Sequence, residues 1–284
     1  MTHSHFNPMI NPMEPYLATL VGVRDLAAGI KLFQVKLDDP EVSANFDYRP
    51  GQFAEVSAFG VGESPFGITS TRDHDETLEF AVNRVGTVTD ALHRLDVGDK
   101  VGVRGPLGNG FPMEEFKGKN IVVLGGGIGG APLRPVIRTV LNNRSDYGRL
   151  SIFWAARNPS LLVFTDEYDD WRARPDTELH LTVDKATPDW PHKEGLITTL
   201  VEEVAPSPQN AITITCGPPI MIKFAMLTLK KLGFTSEQNW VTLEAKMKCG
   251  IGKCGRCNLG DVFICTDGPV FRFDQVEQFL ESFV

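Results

Sequence analysis

Residues 121–130 have the sequence IVVLGGGIGG, in which four apolar residues run directly into a glycine-rich loop. A short continuous apolar run is typical of a strand buried on both faces of a parallel sheet. The loop satisfies the pattern G-x-G-x-x-G at Gly125, Gly127 and Gly130, and a helical pattern follows it. This context predicts a nucleotide pyrophosphate site, because glycines admit phosphate close to the backbone and a helix N-terminus attracts negative charge. The predicted contacts are Gly125, Gly127, Ile128, Gly129 and Gly130; a glycine-rich turn without a ligand is the alternative.

The residues after the next strand bear on the choice between NAD and NADP. That strand ends in WAARN at residues 154–158, and an acidic residue that would bind the ribose is not evident. Arg157 suits a 2′-phosphate and therefore NADP, but an ordinary surface arginine fits the sequence equally well. We include Arg157 among the candidate cofactor contacts and leave the choice between the two nucleotides open.

Strands and helices alternate in the chain beyond the glycine loop. The helix after the loop has one apolar face, and further strands are predicted over residues 150–155, 178–183 and 211–216. Helices are predicted between them, over residues 196–204 and 220–232. Strands that alternate with helices indicate a parallel α/β domain, which we place at residues 118–240.

The chain before the glycine loop has a different pattern of apolar and polar residues. From residue 16 to about 103 it contains short apolar alternations broken by Gly, Pro and Asp, which predict antiparallel strands in a barrel or sandwich. One helix is predicted there, over residues 88–95, with Thr87 and Asp90 as a variant capping box. We assign residues 14–117 to this barrel and residues 1–13 to a loose lead-in.

Four of the five cysteines lie in the last 36 residues, at Cys249, Cys254, Cys257 and Cys265. Their spacing is C-x4-C-x2-C-x7-C, and its first three positions match the plant-type [2Fe–2S] pattern. Thiolates are the soft ligands that iron–sulfur clusters need. A structural zinc site is the alternative, but such sites usually have two C-x2-C pairs. Residues 241–284 are therefore predicted to form a [2Fe–2S] segment.

Composition and charge exclude some classes of protein. A net charge of −8 argues against a large nucleic-acid surface. No apolar run is long enough to span a bilayer, and the N-terminus lacks the basic and apolar regions of a secretory signal. We expect a cytoplasmic protein with no direct membrane insertion.

At these motifs the chain resembles flavoproteins of the ferredoxin–NADP-reductase type that have a C-terminal [2Fe–2S] segment. It is similar to the gamma subunits of NiFe (sulf)hydrogenases and to an anaerobic sulfite reductase subunit, and the electron-transfer subunit of dihydroorotate dehydrogenase is related. The resemblance rests on RPGQF at 49–53, GPLGNGF at 105–111, the glycine loop, CGPP at 216–219, and residues 249–271.

The resemblance implies an FAD bound by the barrel. The family's R-x-[YF]-[ST] stretch corresponds to residues 64–67, where Ser64 replaces the arginine and Gly67 the hydroxyl residue, so the phosphate contacts differ. The flavin contacts it implies are Pro65, Phe66, Gly67, Ile68, Thr69, Ser70 and Asn83. The pyrophosphate contacts it implies are Gly86, Thr87, Val88 and Thr89. From the residues alone, Phe66 is a core aromatic and Thr87 a helix cap.

The resemblance also implies two catalytic candidates. Cys216 corresponds to a cysteine near the nicotinamide, with Gly217 and Pro218 as further cofactor contacts, and Glu244 falls near the flavin. From the residues alone, Cys216 is a buried packing residue and Glu244 a surface glutamate.

The implied function is electron transfer between NAD(P)H and a partner redox subunit, through FAD and a [2Fe–2S] cluster. The partner would belong to a hydrogenase-, sulfite-reductase- or heterodisulfide-reductase-like complex and would dock near the cluster, over residues 246–271. Two alternatives stay open. One is a free-standing NAD(P)H:ferredoxin or acceptor reductase; the other is a zinc-stabilised, non-catalytic nucleotide-sensing or assembly module.

Overall fold

The first sheet of the computed structural model, which describes residues 11–279, is antiparallel and has six strands. The strands are β1 (Tyr16–Ala27), β2 (Ile30–Leu37), β3 (Phe53–Ala58), β4 (Gly62–Gly67), β5 (Leu78–Asn83) and β6 (Lys100–Leu107). In spatial order β4 and β5 are the edges of the sheet, with β3, β6, β1 and β2 between them. An antiparallel bridge between Ile68 and Phe80 joins the two edges and closes a barrel, which confirms the predicted fold of this part.

Two short helices accompany the barrel, α1 (Pro40–Asn45) and α2 (Thr87–Leu92). Helix α1 was not predicted, although the Asp39 carboxylate accepts hydrogen bonds from two amides of its first turn and proline occupies its start. The predicted helix over residues 88–95 is α2, which begins one residue earlier and ends at Leu92.

The strands that follow the barrel are β7 (Asn120–Gly126), β8 (Leu150–Ala156), β9 (Thr177–Val183), β10 (Lys193–Glu194), β11 (Ala211–Cys216), β12 (Asn239–Thr242), β13 (Asn258–Leu259), β14 (Val262–Phe263) and β15 (Val270–Arg272). The second sheet has seven of them, in the order β10-β9-β8-β7-β11-β12-β15. All neighbouring pairs from β10 to β12 are parallel, which confirms the predicted parallel α/β domain. The cysteine-rich segment adds β15 to the edge strand β12 in the antiparallel direction, so the complete sheet is mixed. The pair β13–β14 forms a separate hairpin within the cysteine-rich segment.

The helices of the second part are α3 (Arg134–Asn142), α4 (Tyr168–Ala173), α5 (Ile197–Val204) and α6 (Pro219–Lys231). They confirm the predicted alternation of strands and helices. One detail was wrong: the glycine loop does not open directly into an α-helix, because residues 127–133 form a 3₁₀ helix first. None of the helices within residues 11–279 is long and apolar enough to cross a membrane.

The order of the second sheet positions the nucleotide site. From β7 the chain moves outward to β8 and β9, then returns to the other side of β7 as β11. Ligands of open α/β sheets bind at such a reversal, beyond the carboxyl ends of the two central strands. The glycine loop follows β7, and the CGPP segment follows β11, so both predicted motifs lie at the reversal.

Candidate functional site

The end of β4 and the residues after it form the predicted flavin surface. Pro65, Phe66 and Gly67 are half-buried, whereas Ile68, Thr69 and Ser70 are buried. The Ser70 hydroxyl is already engaged, since it lies 2.7 Å from the Tyr48 hydroxyl and accepts a hydrogen bond from the Glu79 amide.

Thr69 differs from Ser70 in its side chain. Its hydroxyl is buried and has no hydrogen-bond partner among the described residues. A buried polar atom without a partner is costly in a finished structure, so this hydroxyl fits a residue that completes its hydrogen bonding on a ligand. Of the two predicted hydroxyl contacts, Thr69 is therefore the better candidate.

The start of α2 lies beside this surface. Val88 approaches β4, because a Cβ placed on Gly62 would lie 3.4 Å from Val88 Cγ2. The capping arrangement differs from the predicted one: the Thr89 hydroxyl, not Asp90, closes back on the helix start and accepts from the amides of Val85 and Gly86 at 2.9 and 2.8 Å. Asp90 instead pairs with Arg84.

Gly86 and Thr87 are exposed at this helix start. The amides of a first helical turn lack intrahelical acceptors and therefore suit an anion. Asn83, at the end of β5, is half-buried and precedes this turn. The predicted flavin contacts thus lie together on one face of the barrel, between β4 and α2.

The glycine loop is shaped by two close approaches. A Cβ on Gly130 would lie 2.2 Å from the indole ring of Trp154, and a Cβ on Gly129 would lie 2.7 Å from the backbone of Gly217. Gly127 has a φ of +57°, a conformation that glycine adopts without strain. The loop can therefore keep its path only with glycines, and Gly130 is required by packing as well as by any ligand.

The predicted nucleotide and flavin residues are neighbours in space. The contact of Gly129 with Gly217 joins the loop after β7 to the segment after β11. A Cβ on Gly67 would lie 3.1 Å from Pro132, so the flavin surface abuts the residues that follow the glycine loop. Arg157 is exposed just beyond β8, and Pro218 is exposed before α6. The flavin surface, the glycine loop and the segment after β11 therefore adjoin one another.

Cys216 and Glu244 lie at the carboxyl ends of the neighbouring parallel strands β11 and β12. Cys216 ends β11 in register with Gly125 of β7, and burial raises the pKa of its thiol well above the ordinary value, with a further rise from Glu244. Glu244 follows β12; its side chain is exposed, yet burial by surrounding protein raises the pKa of its carboxyl. Since the charge of Glu244 acts on the Cys216 thiol, the two catalytic candidates are close in space, beside the carboxyl end of β7.

The four cysteines at the C-terminal side form two pairs. Cys249 neighbours Cys254, whose thiol helps to lower the pKa of Cys249, and Cys265 neighbours Cys257, whose thiol helps to raise the pKa of Cys265. Cys254 is exposed, and the other three are buried. Two pairs of thiols suit a cluster with two irons. Among the described residues, no group of three or more His, Cys, Asp or Glu side chains converges to hold a single metal ion.

Backbone amides point at these sulfurs. Lys253 and Cys254 donate to Cys249 Sγ at 3.3 Å, and Gly252 donates to Cys265 Sγ at 3.2 Å. Burial raises the pKa of Cys249, but hydrogen bonds from backbone amides outweigh it and bring the pKa to about 7. Amides directed at sulfur stabilise thiolates, so the loop fits an iron–sulfur cluster in its donor set and in its hydrogen bonds.

Arg104 connects the barrel to the cysteine loop and was not among the predicted site residues. It lies on β6 with no exposed surface, pairs with Glu63 at 2.7 Å, and donates to the main-chain carbonyl of Cys249 at 2.7 Å. Buried Glu55 lies beside it, and burial followed by the charge of Glu63 raises the pKa of Glu55 to about 7. The only local signal was an arginine inside an apolar strand.

Three known domain families match the chain. Residues 18–111 match the oxidoreductase FAD-binding domain, and residues 123–226 match the oxidoreductase NAD-binding domain. Residues 244–277 match the iron–sulfur cluster binding domain of dihydroorotate dehydrogenase B. Together they span most of the chain, and each covers one of the three groups of residues described above.

Curated relatives match over nearly the full length. Sulfhydrogenase 1 subunit gamma of Pyrococcus furiosus is 37% identical over 94% of this chain and 93% of its own. The chain belongs to the family of FAD-, NAD- and iron–sulfur-binding electron-transfer subunits. Another member, the probable dihydroorotate dehydrogenase B (NAD(+)) electron transfer subunit of Methanocaldococcus jannaschii, is 35% identical over 85% of this chain and 86% of its own.

A solved structure has the same fold as this electron-transfer subunit. It is that of an NADH-dependent reduced ferredoxin–NADP oxidoreductase described in the context of flavin-based electron bifurcation, with a TM-score of 0.73, 26% identity, and coverage of 93% of this chain and 92% of the other. The electron-transfer subunit is thus an oxidoreductase chain of the ferredoxin–NADP-reductase fold, and its cofactors are FAD, NAD(P)H and an iron–sulfur cluster.

Proposed function

We propose that this chain carries electrons between NAD(P)H and a partner redox subunit, and that the cysteine-rich loop is the point where they leave or enter. The observation that supports this most strongly is that the three sites adjoin one another. The flavin surface contacts the nucleotide loop through Gly67 and Pro132, and the barrel contacts the cysteine loop through Arg104 and Cys249. FAD, when bound, exchanges electron pairs with NAD(P)H and single electrons with an iron–sulfur cluster.

The residues assigned to this function are those that the motifs and the resemblance imply, and their positions in the structure support the assignment. Thr69 and the start of α2 would hold FAD, the loop from Gly125 to Gly130 with Gly217 and Pro218 would hold the nucleotide, and the four cysteines would ligate a [2Fe–2S] cluster. Cys216 would face the nicotinamide as a neutral thiol, since its raised pKa keeps the proton on sulfur. The protein's task is to hold the three groups in sequence and to exclude water between them.

We assign residues 14–117, 118–240 and 241–284 to the flavin, nucleotide and cluster parts. The seven-stranded sheet crosses one of these boundaries, because β15, in the third part, pairs with β12 and extends the sheet of the second part. This shared sheet supports a cluster segment fixed on the nucleotide part rather than hung on a linker.

The partner is proposed to be a subunit of a larger complex, because the matched relatives are named as subunits. The test is purification of the protein from its native cell, in the cytoplasmic fraction, followed by mass spectrometry of what co-elutes. Co-elution with a hydrogenase-, reductase- or heterodisulfide-reductase-like chain supports the proposal. A protein that elutes alone and reduces ferredoxin at full rate with NAD(P)H would instead be a free-standing reductase.

A second test concerns the metal. Reconstituted protein should contain iron and inorganic sulfide and show the EPR signal of a reduced [2Fe–2S] cluster. Zinc in place of iron, with no NAD(P)H-dependent reduction of a viologen dye, would identify a non-catalytic zinc-stabilised module.

A further inference from the structure

The cysteine-rich loop has an unusual distribution of charge. Residues 246–256, KMKCGIGKCGR, contain four cations and no acidic residue, whereas the whole chain has 28 cations against 36 acids. We call these four side chains the basic rim: Lys246, Lys248, Lys253 and Arg256. All four are exposed. They interleave with Cys249 and Cys254 and end beside Cys257.

The basic rim has no paired counter-charges among residues 11–279. Within residues 11–279, none of its four side chains forms an ion pair or a side-chain hydrogen bond. Exposed cations elsewhere do pair, for example Lys100 with Asp38 at 2.7 Å and Arg149 with Glu178 at 2.9 Å. The positive charge of the rim is therefore directed at the solvent.

The rim flanks, along the sequence, the one exposed thiol of the four. Cys254 is exposed, whereas Cys249, Cys257 and Cys265 are buried. An electron that passes between a cluster at these thiols and another protein takes the shortest path at the exposed side. The cations thus lie in the same exposed segment of the loop as the thiol that a partner must approach.

We propose that the basic rim is the docking surface for a partner protein whose own redox centre lies beneath an acidic face. The inference rests on the proposed function of the cluster loop as an exit point. Complementary charge steers two proteins into contact and fixes their orientation. Charges in water act weakly on a buried centre, and the nearby buried cation is Arg104, so the exposed rim suits an encounter surface better than a device for tuning the cluster.

The test compares acceptors of opposite charge. Holoprotein supplied with NAD(P)H reduces, in separate assays, a small acidic ferredoxin, the basic protein cytochrome c, and a neutral quinone dye. Reduction of ferredoxin should slow by roughly tenfold between about 0.01 M and about 0.15 M ionic strength, because salt screens attraction between exposed charges. Reduction of the dye should change little.

Charge-reversal variants give the second arm. Lys246→Glu and Lys253→Glu should each slow ferredoxin reduction several-fold, flatten its salt dependence and speed cytochrome c reduction. The matched control is Lys36→Glu, since Lys36 is an exposed lysine on β2, two strands from β6, and has no ion pair within the described residues. Iron content and the visible spectrum show whether each variant keeps its cluster. If Lys253→Glu loses the cluster, Lys246→Glu still tests the inference, because Lys246 is three residues from the nearest cysteine.

Three outcomes overturn the inference. In the first, the variants change the reduction rates of all acceptors equally, which would mean that the rim acts on the reduction potential of the cluster. In the second, ferredoxin reduction ignores both salt and charge reversal. In the third, the protein sediments with anionic phospholipid vesicles through these lysines while protein acceptors are unaffected. Absence of dye reduction by the wild-type holoprotein, in contrast, contradicts the proposed function itself.

Discussion

The guanidinium of Arg134 donates a hydrogen bond to the main-chain carbonyl of Thr69, at 2.9 Å. Arg134 begins α3, directly after the glycine loop, whereas Thr69 follows β4 of the barrel. The same guanidinium pairs with Glu79 of the barrel and with Glu167, and lies 4.8 Å from the centroid of the Phe164 ring. One buried side chain therefore fastens the nucleotide part to the strand that presents the free Thr69 hydroxyl.

Replacing Arg134 with leucine should destabilise the protein by roughly 3–5 kcal/mol, because the change leaves the buried Glu79 carboxylate and the half-buried Glu167 carboxylate without their cation. Arg134→Lys should cost less, since it keeps the charge but not the fork of donors. Urea denaturation followed by fluorescence measures both. The control is Arg149→Leu, which breaks an exposed pair with Glu178 and should cost less than about 1 kcal/mol. Equal losses in Arg134→Leu and Arg149→Leu would show that Arg134 is not a structural tie.

Arg104 should stabilise the cysteine loop in the same way. Arg104→Leu removes the donor to the Cys249 carbonyl and leaves Glu63 without its cation. We expect faster loss of iron to a chelator and a lower reduction potential of the cluster, because a buried positive charge stabilises the more negative, reduced form. Arg84→Leu is the matched control, since it breaks an exposed pair with Asp90. Unchanged iron release and potential in Arg104→Leu would contradict this role.

Gly130 should be intolerant of even a methyl group. A Cβ there meets the Trp154 ring at 2.2 Å, so Gly130→Ala should cost about 1–3 kcal/mol and weaken NAD(P)H binding while FAD stays bound. Combination with Trp154→Phe, which removes part of the ring, should recover some of the loss. Thermal unfolding of the two single variants and the double variant measures the coupling. If the two substitutions lower the stability additively, the contact between the new methyl group and the Trp154 ring is not what destabilises Gly130→Ala.

The buried Tyr48 phenol should make the protein less stable at alkaline pH. Burial raises the pKa of its phenol to about 12, whereas the unfolded chain ionises near pH 10. The unfolded state therefore releases this proton first, and wild-type stability should fall by on the order of 2 kcal/mol more than that of Tyr48→Phe as the pH rises from 10 to 12. Below pH 10 the difference between the two proteins should be constant. Urea denaturation at pH 9 and pH 11 tests this; parallel losses in both proteins would contradict it.

The parts of this structure that sequence predicts are those with short-range signals. β7 and β11 were found because strands buried on both faces are continuous apolar runs, and the cysteine loop was found because its ligands lie within seventeen residues, from Cys249 to Cys265. Helix α1 also had a local signal, in Asp39 and Pro40, which went unused.

The parts that sequence does not predict depend on distant partners. Arg104 contacts a carbonyl 145 residues away, and Arg134 one that is 65 residues away. Neither has a periodic pattern or a motif that identifies its partner. The antiparallel direction of β15 is hidden for the same reason, since it is set by how the cluster loop returns to the sheet edge at β12. The engagement of Ser70 and the freedom of Thr69 likewise appear only when Tyr48 is placed beside them.

The central claim is that electrons cross this chain in order, from NAD(P)H through the flavin to the cysteine loop. The most direct measurement adds NAD(P)H without oxygen to wild-type holoprotein and to Cys254→Ser, following flavin absorbance and the EPR signal of the cluster. Flavin reduction should proceed at similar rates in both proteins, and only the wild type should develop the cluster signal and pass electrons to an acceptor protein. The account is contradicted if Cys254→Ser keeps its fold and flavin but loses flavin reduction and acceptor reduction equally.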